Sequence, residues 1–216
     1  MSLNSITSAD CIELGPYLSL RGARRRFERN AEIFGEDEPA KYIYRVVAGA
    51  VRTMRFSGDG RRQILAFHLP GDTFGVEAGE GHTCSAEAVN AAEVVMVRRS
   101  LLEKAAQEST QAARRWVEMT ARDLRSAQDH ALILGRKGAG ERVAAFLLRF
   151  ADRLMHGQEL DLPMSRADIA DYLGLTIESV SRAFTEMERV RAIALPSSRH
   201  VVMRDRSALM ELECAA

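Results

Sequence analysis

At 216 residues the chain is long enough for one large or two small domains, each with its own buried core. It is 46% hydrophobic and 28% charged, an ordinary globular balance, and no apolar run reaches the roughly 18–20 residues of a membrane span. Thirty Lys and Arg against thirty Asp and Glu give zero net charge, which excludes a polycationic nucleic-acid coat; any phosphate-binding surface has to come from placement rather than excess.

In chain order, Met1–Asp10 has neither a basic nor an apolar segment, so the sequence predicts no secretion signal and a cytoplasmic protein. From about Arg24 to Arg98, short β-prone runs alternate with glycine turns. Tyr42–Val47, Val51–Phe56, Gln63–Leu69 and Ala92–Val97 read as strands; Gly49, Ser57-Gly58-Asp59-Gly60 and Pro70-Gly71-Asp72 read as turns. This punctuation predicts an antiparallel barrel or jelly roll. Ser100–Leu134 contains no Pro or Gly and predicts a long helix, with Ser109–Thr110 as the place for a break. Within it Ala113, Val117, Thr120, Leu124, Ala127, Ala131 and Leu134 are spaced alternately four and three apart. That is a coiled-coil seam of partly small residues, which predicts a homodimer; the alternative is a helix lying on its own barrel. Gly135–Gly140 holds three glycines around Arg136 and Lys137 and reads as a hinge. Val143, Phe146, Leu147, Phe150 and Leu154 then form the core stripe of a helix over Glu141–Met155. The expected division is a sensor-like β-barrel domain at 1–105, a dimerisation helix at 106–135 and a DNA-binding domain at 136–216.

The last third carries the functional signal. Ser165-Arg166-Ala167-Asp168 fits a capping box and starts a helix whose apolar face is Ile169, Tyr172 and Leu173. Gly174 stops it, Leu175 plugs the turn, and Thr176 is the natural N-cap of the next helix. In that second helix Val180, Phe184 and Met187 point inward, while Glu178, Ser181, Arg182 and Thr185 share one outward polar face. Counted from Arg166, a small residue at the fifth position (Ala170), glycine at the ninth (Gly174) and a β-branched residue at the fifteenth (Val180) meet the packing needs of a helix-turn-helix. A plain helical hairpin with a solvated face is the other reading of the same pattern. Ala192–Leu195, a turn at Pro196-Ser197-Ser198-Arg199, and His200–Met203 then read as the β-hairpin wing of a winged helix. Fold class is therefore α+β: an N-terminal antiparallel β-barrel or jelly roll, a long dimerisation helix and a C-terminal winged helix-turn-helix.

For DNA contact, Glu178, Ser181 and Arg182 are the expected base readers, with Ile177 placed to touch a thymine methyl although core packing is its more ordinary role. Ser165, Thr176, Thr185, Arg199 and His200 are the expected backbone contacts. Residues 136–216 hold twelve basic and twelve acidic residues, so this segment too is neutral overall. Of the thirty basic residues only Lys41, Lys104 and Lys137 are lysine; arginine suits bidentate contacts, and a coding bias explains the skew equally well.

Several stretches are also similar to a known family. Leu173–Arg182 (LGLTIESVSR) resembles the recognition segment of the CRP/FNR superfamily of transcription regulators. Phe67–Gly75 (FHLPGDTFG) and Ile43–Arg52 (IYRVVAGAVR) resemble its barrel motifs, and Gly140–Leu148 (GERVAAFLL) the helix that opens its DNA-binding domain. The resemblance runs over about residues 20–210 and is nearest the FixK-type branch, regulators of low-oxygen metabolism and nitrogen fixation. It implies double-stranded DNA with TTGAT-type palindromic half-sites and RNA polymerase as partners, the latter touched by Ser57, Gly58, Asp59, Gly60 and Arg61. It also implies an activator. Cyclic-nucleotide-binding members carry an Arg-Ser pair for the phosphate, whereas Cys84-Ser85 stands at that place here. Cys11 alone is too few ligands for an iron–sulfur centre, and Ser165 stands where some relatives have a redox-sensitive cysteine. No cofactor and no metal are expected.

Two other classes compete. The chain has no nucleophile elbow, zinc-protease motif, P-loop or dinucleotide fingerprint, and His68 and His82 lie fourteen residues apart rather than as the H-x-H of a metal-binding cupin. An enzyme is therefore not expected. A sensor with a small molecule in the barrel differs from the main reading only in its effector. The scattered Cys11, Cys84 and Cys214 make neither a disulfide framework nor a zinc pair.

Overall fold

The computed structural model describes residues 10–15, 18–136 and 138–214; residues 1–9, within the stretch expected to lack a leader, and Lys137 of the expected hinge lie outside them. The chain forms two compact units, Met1–Phe56 with Leu65–Ser126, and Ser57–Ile64 with Ala127–Ala216.

The β-rich part begins with a hairpin of β1 (Cys11–Gly15) and β2 (Leu18–Arg21), followed by β3 (Ala23–Phe27), β4 (Glu32–Phe34), β5 (Tyr42–Ala48), β6 (Val51–Phe56), β7 (Arg62–His68), β8 (Thr73–Phe74), β9 (Ser85–Ala88) and β10 (Ala92–Arg98); the first three residues of β7, Arg62, Gln63 and Ile64, belong to the second unit. They form two four-stranded antiparallel sheets, ordered β3-β10-β5-β8 and β4-β9-β6-β7, a jelly roll rather than a closed barrel. The four strands expected from the sequence are present with ends within one residue of those expected.

Strand β10 shows why its sequence is almost continuously apolar. Val94 packs with Phe34, Tyr44, Val46 and Phe74 on one side. Val95 and Val97 pack on the other, with Ile12, Leu14, Ile43, Leu102 and Ala105. A strand covered on both faces has no polar side to alternate with. Gly22 allows the close approach at this edge: a Cβ there would sit 2.5 Å from Val95 Cγ1 and 2.6 Å from the Met96 carbonyl. The FHLPGDTFG stretch is the turn from β7 to β8, closed by Leu69 N–H donating to Asp72 Oδ2 at 2.8 Å, with Gly71 at φ 95°.

Helix α1 (Arg99–Glu108) ends at Ser109, which is extended at φ −139°, ψ 116°. Helix α2 (Thr110–Arg136) starts beside it, and Ser109 Oγ accepts from Ala112 N–H at 3.3 Å. The break thus falls where Ser and Thr offered a cap. On α2, Ala112, Met119 and Ile133 are buried against the chain, whereas Val117 is 68% and Leu124 59% exposed. Of the seven seam positions, Ala113 and Leu134 are half-buried and the other five are exposed. Thr120, the polar member, donates its hydroxyl to the Trp116 carbonyl at 3.2 Å, a bond within its own helix.

The second unit holds α3 (Ala139–Leu154), β11 (Glu159–Asp161), α4 (Arg166–Leu173), α5 (Ile177–Arg189), β12 (Ile193–Ala194), β13 (His200–Met203) and α6 (Arg206–Cys214). Val143, Phe146, Leu147 and Phe150 of α3 are buried, as their helical spacing required. The wing is a three-stranded sheet ordered β11-β13-β12, one strand more than the expected hairpin. No helix among the described residues is long and apolar enough to cross a membrane.

Phe74 is 2% exposed at the centre of the aromatic core, its ring centroid 5.2 Å from that of Tyr44. Phe74→Ala is expected to lower the unfolding free energy by about 3–5 kcal/mol, read as a shift in the denaturant midpoint without a change of slope.

Candidate nucleic-acid interface

Helix α4 begins as the sequence indicated. Ser165 Oγ accepts from Asp168 N–H at 3.1 Å, and Asp168 Oδ2 accepts from Ser165 N–H at 3.0 Å and from its hydroxyl at 2.7 Å. The hydroxyl of Ser165, expected at the DNA backbone, is thus engaged in the cap. Gly174 ends α4 in the left-handed conformation, φ 61°, ψ 40°. A Cβ there would meet nothing nearer than 3.7 Å, so backbone conformation rather than space favours glycine. Thr176 caps α5 by accepting from Ser179 N–H at 3.2 Å.

On α5, Val180, Ala183, Phe184 and Met187 are buried, while Glu178, Ser181, Arg182 and Thr185 are exposed on the other side. Arg166 of α4 lays its guanidinium 3.0 Å above the Phe184 ring centre, which ties the two helices together. Burial there pushes its pKa down to about 10, still charged at neutral pH. Ile177 is 48% exposed, which corrects the expectation that packing is its ordinary role; at the first position of α5 it looks outward beside Glu178.

Glu178 lies in the first turn, where its own backbone N–H, then the Thr176 hydroxyl, then Arg182 hold its carboxyl below the usual range. Arg182 Nη2 is 3.4 Å from Ser179 Oγ, on a side chain that is otherwise exposed. In the wing, Ser197 Oγ accepts from the N–H groups of Arg199 and His200, and both residues are half-buried. His200 Nδ1 lies 2.6 Å from Asp161 Oδ1 on β11, a partner that the sequence reading missed along with the strand itself. β11 is three residues long, too short for a periodic signal.

The turn Ser57–Arg61 folds on Asp59. Its carboxylate accepts from Ser57 Oγ, Arg61 N–H and Arg61 Nε, and these contacts, the serine first, hold its pKa down at about 2. Next to it, Arg62 Nε donates to Asp171 Oδ2 at 2.7 Å and Nη2 to Asp168 Oδ1 at 2.8 Å, both on α4. No sequence motif marked Arg62.

At the place that the resemblance gives to the cyclic-nucleotide phosphate, Cys84 stands instead of an arginine. Burial, then Glu77 and Glu36, pushes the Cys84 thiol up to about 11 against the opposing pull of Arg55, so the side chain at this place is an uncharged thiol. Ser85 Oγ already accepts from Glu36 N–H at 2.9 Å. The two histidines that raised a cupin are packing residues. His82 stacks on Phe34 at 3.6 Å and His68 on Phe74 at 4.9 Å. Among the described residues no group of three or more His, Cys, Asp or Glu can hold a metal ion.

An α4–turn–α5 unit with a capped reading helix and a β wing defines a winged helix-turn-helix DNA-binding protein. The profile of the Crp-like helix-turn-helix domain matches residues 141–212, and that of the cyclic nucleotide-binding domain matches 24–109. The nitrogen fixation regulation protein FixK of Azorhizobium caulinodans is 51% identical over 193 residues, 87% of this chain and 77% of that protein. The protein of the same name from Rhizobium meliloti is 40% identical over 187 residues, 86% of this chain and 85% of its own length. The solved structure of FixK2 from Bradyrhizobium japonicum superposes with a TM-score of 0.89 at 50% identity, covering 91% of this chain and all of that one. The chain belongs to the CRP/FNR superfamily of transcription regulators, in its FixK-type branch. It is a DNA-binding regulator and not an enzyme.

The Asp161 contact raises the His200 pKa above its ordinary 6.5. The contact therefore contributes fully below pH 6.5 and is lost as pH rises through the raised value. NMR titration is expected to place the His200 midpoint above 6.5 and Asp161→Asn to bring it back down; a wild-type midpoint at or below 6.5 contradicts the pairing.

Proposed function

We propose that this protein is a homodimeric transcription activator that reads a TTGAT-type palindrome through α5 and needs no cyclic nucleotide or other cofactor. The observation that carries this reading is the face of Glu178, Ser181 and Arg182, exposed on a helix whose opposite side is fully buried. Arg182 is suited to give two parallel hydrogen bonds to guanine O6 and N7, and Glu178 to accept from a cytosine amino group. Ile177 lies beside them for a thymine methyl, and Thr176, Thr185, Arg199 and His200 flank the face as phosphate contacts. A carboxylate facing only phosphate would be repelled, so Glu178 favours base reading over backbone binding.

The working division is 1–105 for the sensor-like domain, 106–135 for the dimerisation helix and 136–216 for DNA binding. The exposed Val117 and Leu124 support pairing of α2 with a second copy. An uncharged, buried thiol at Cys84, in place of the arginine that would pair with a phosphate, supports independence from cyclic nucleotides. Kinship with FixK proteins supports a role in low-oxygen and nitrogen-fixation genes in the cytoplasm, with the exposed Arg61 turn as the polymerase contact.

Binding of wild type, Arg182→Ala and Glu178→Ala to a cognate duplex and its single-base variants, at fixed salt, tests the reading face. Each substitution is expected to cost about 1–3 kcal/mol on the cognate and to flatten the preference at one base position. A uniform loss on every duplex, with a smaller salt slope, would make the residue a phosphate contact instead. For the dimer, Leu124→Glu places two carboxylates across the two-fold axis and is expected to leave a monomer in sedimentation at micromolar protein. A dimer that persists sinks the seam.

A further inference from the structure

The last carbonyls of a helix have no N–H partners within it. At the end of α4, side chains from three other elements supply them. Gln63 Nε2, on β7, donates to the Asp171 carbonyl at 2.8 Å and the Tyr172 carbonyl at 3.3 Å. His130 Nε2, on α2, lies 2.8 Å from the same Tyr172 carbonyl, which can only accept, so this nitrogen carries the proton. Arg142 Nη1, on α3, donates to the Leu173 carbonyl at 2.9 Å, while its Nη2 donates to the Leu134 carbonyl of α2 at 2.8 Å. The His130 ring also lies flat on the Tyr172 ring, 3.9 Å between centroids and 4° between planes.

We infer that Gln63, His130 and Arg142 are positioning residues for DNA reading: together they hold the end of α4, and through the Gly174 turn they set the pose of α5. None of them lies on the reading face. The inference rests on the DNA-binding reading above. Gly174 and Leu175 follow directly on the carbonyls being held, and both donate their N–H groups to the Ala170 carbonyl, so a shift of this helix end passes straight into α5. His130 has a second consequence. It is buried beside the exposed seam residue Ala131 on the same helix, so pairing of the seam and anchoring of α4 act on one rigid segment.

The test separates orientation from folding. His130→Phe keeps a flat ring on Tyr172 but removes the donor, His130→Gln restores a donor, and Gln63→Leu removes the other donor to the same carbonyl. Each dimeric variant is titrated with a duplex carrying two TTGAT half-sites and with a scrambled duplex of equal length, over a range of salt. His130→Phe is expected to weaken the cognate duplex about tenfold, with unchanged affinity for the scrambled duplex and an unchanged salt slope. His130→Gln should recover most of the loss. The double variant His130→Phe with Gln63→Leu should depart from the product of the single effects, because both side chains serve one acceptor. Should His130→Phe fail to fold, Gln63→Leu reads the same carbonyl from an element outside the helices. Wild-type cognate affinity in His130→Phe and Gln63→Leu overturns the inference, as does equal loss on both duplexes without rescue by glutamine. A wild-type protein that prefers neither duplex would sink the DNA-site reading itself, a distinct outcome.

Discussion

A carboxylate buried at the head of α4 sets the terms for the DNA-binding unit. Asp168 is only 5% exposed, and burying an unmatched charge costs several kcal/mol. It is matched by two donors from Ser165 and by Arg62. Those partners fix where the helix starts, and the left-handed Gly174 fixes where it stops. Between these two points α4 has eight residues, little more than two turns, so an error at either end is not averaged out along its length. The following helix inherits its direction from this short strut.

Electrostatic neutrality of the DNA-binding segment follows a visible rule. Acidic residues there are largely committed to partners inside the protein: Asp168 and Asp171 to Arg62, Glu186 to Arg189, Asp152 to Arg206, Asp161 to His200. Glu188 accepts from the Leu195 N–H and joins α5 to the wing. Arg182 has no carboxylate within ion-pair distance in the described structure, so a positive group is left on the reading face although the count of charges cancels. Zero net charge is thus compatible with a phosphate-facing surface because the negative charges are local and the screening length is short.

Legibility in the sequence followed periodicity and caps. The strands at Tyr42–Ala48 and Val51–Phe56 were readable because glycine turns bracket them, and α4 because Ser165, Asp168 and Gly174 each have a local reason to be where they are. β3 was hidden by its composition: Ala-Arg-Arg-Arg-Phe is an edge strand with charged side chains, which protect an edge but erase the apolar signal. β8 has two residues and β11 three, below the length at which alternation can be seen. Within the reading head, the exposed face of α5 was legible from helical spacing. The donors to the end of α4 were not, since Gln63, His130 and Arg142 come from distant parts of the chain and nothing local to each residue signals the meeting.

The surroundings of Cys84 bear on oxidation chemistry. Nucleophilic attack on peroxide or on a disulfide needs the thiolate, and a thiol held near 11 has on the order of one molecule in ten thousand in that form at neutral pH. Burial first, and the carboxylates of Glu77 and Glu36 after it, keep this sulfur in the protonated, less nucleophilic form. In a regulator whose relatives are named for nitrogen fixation, the jelly roll holds at this position a cysteine whose burial disfavours the reactive thiolate.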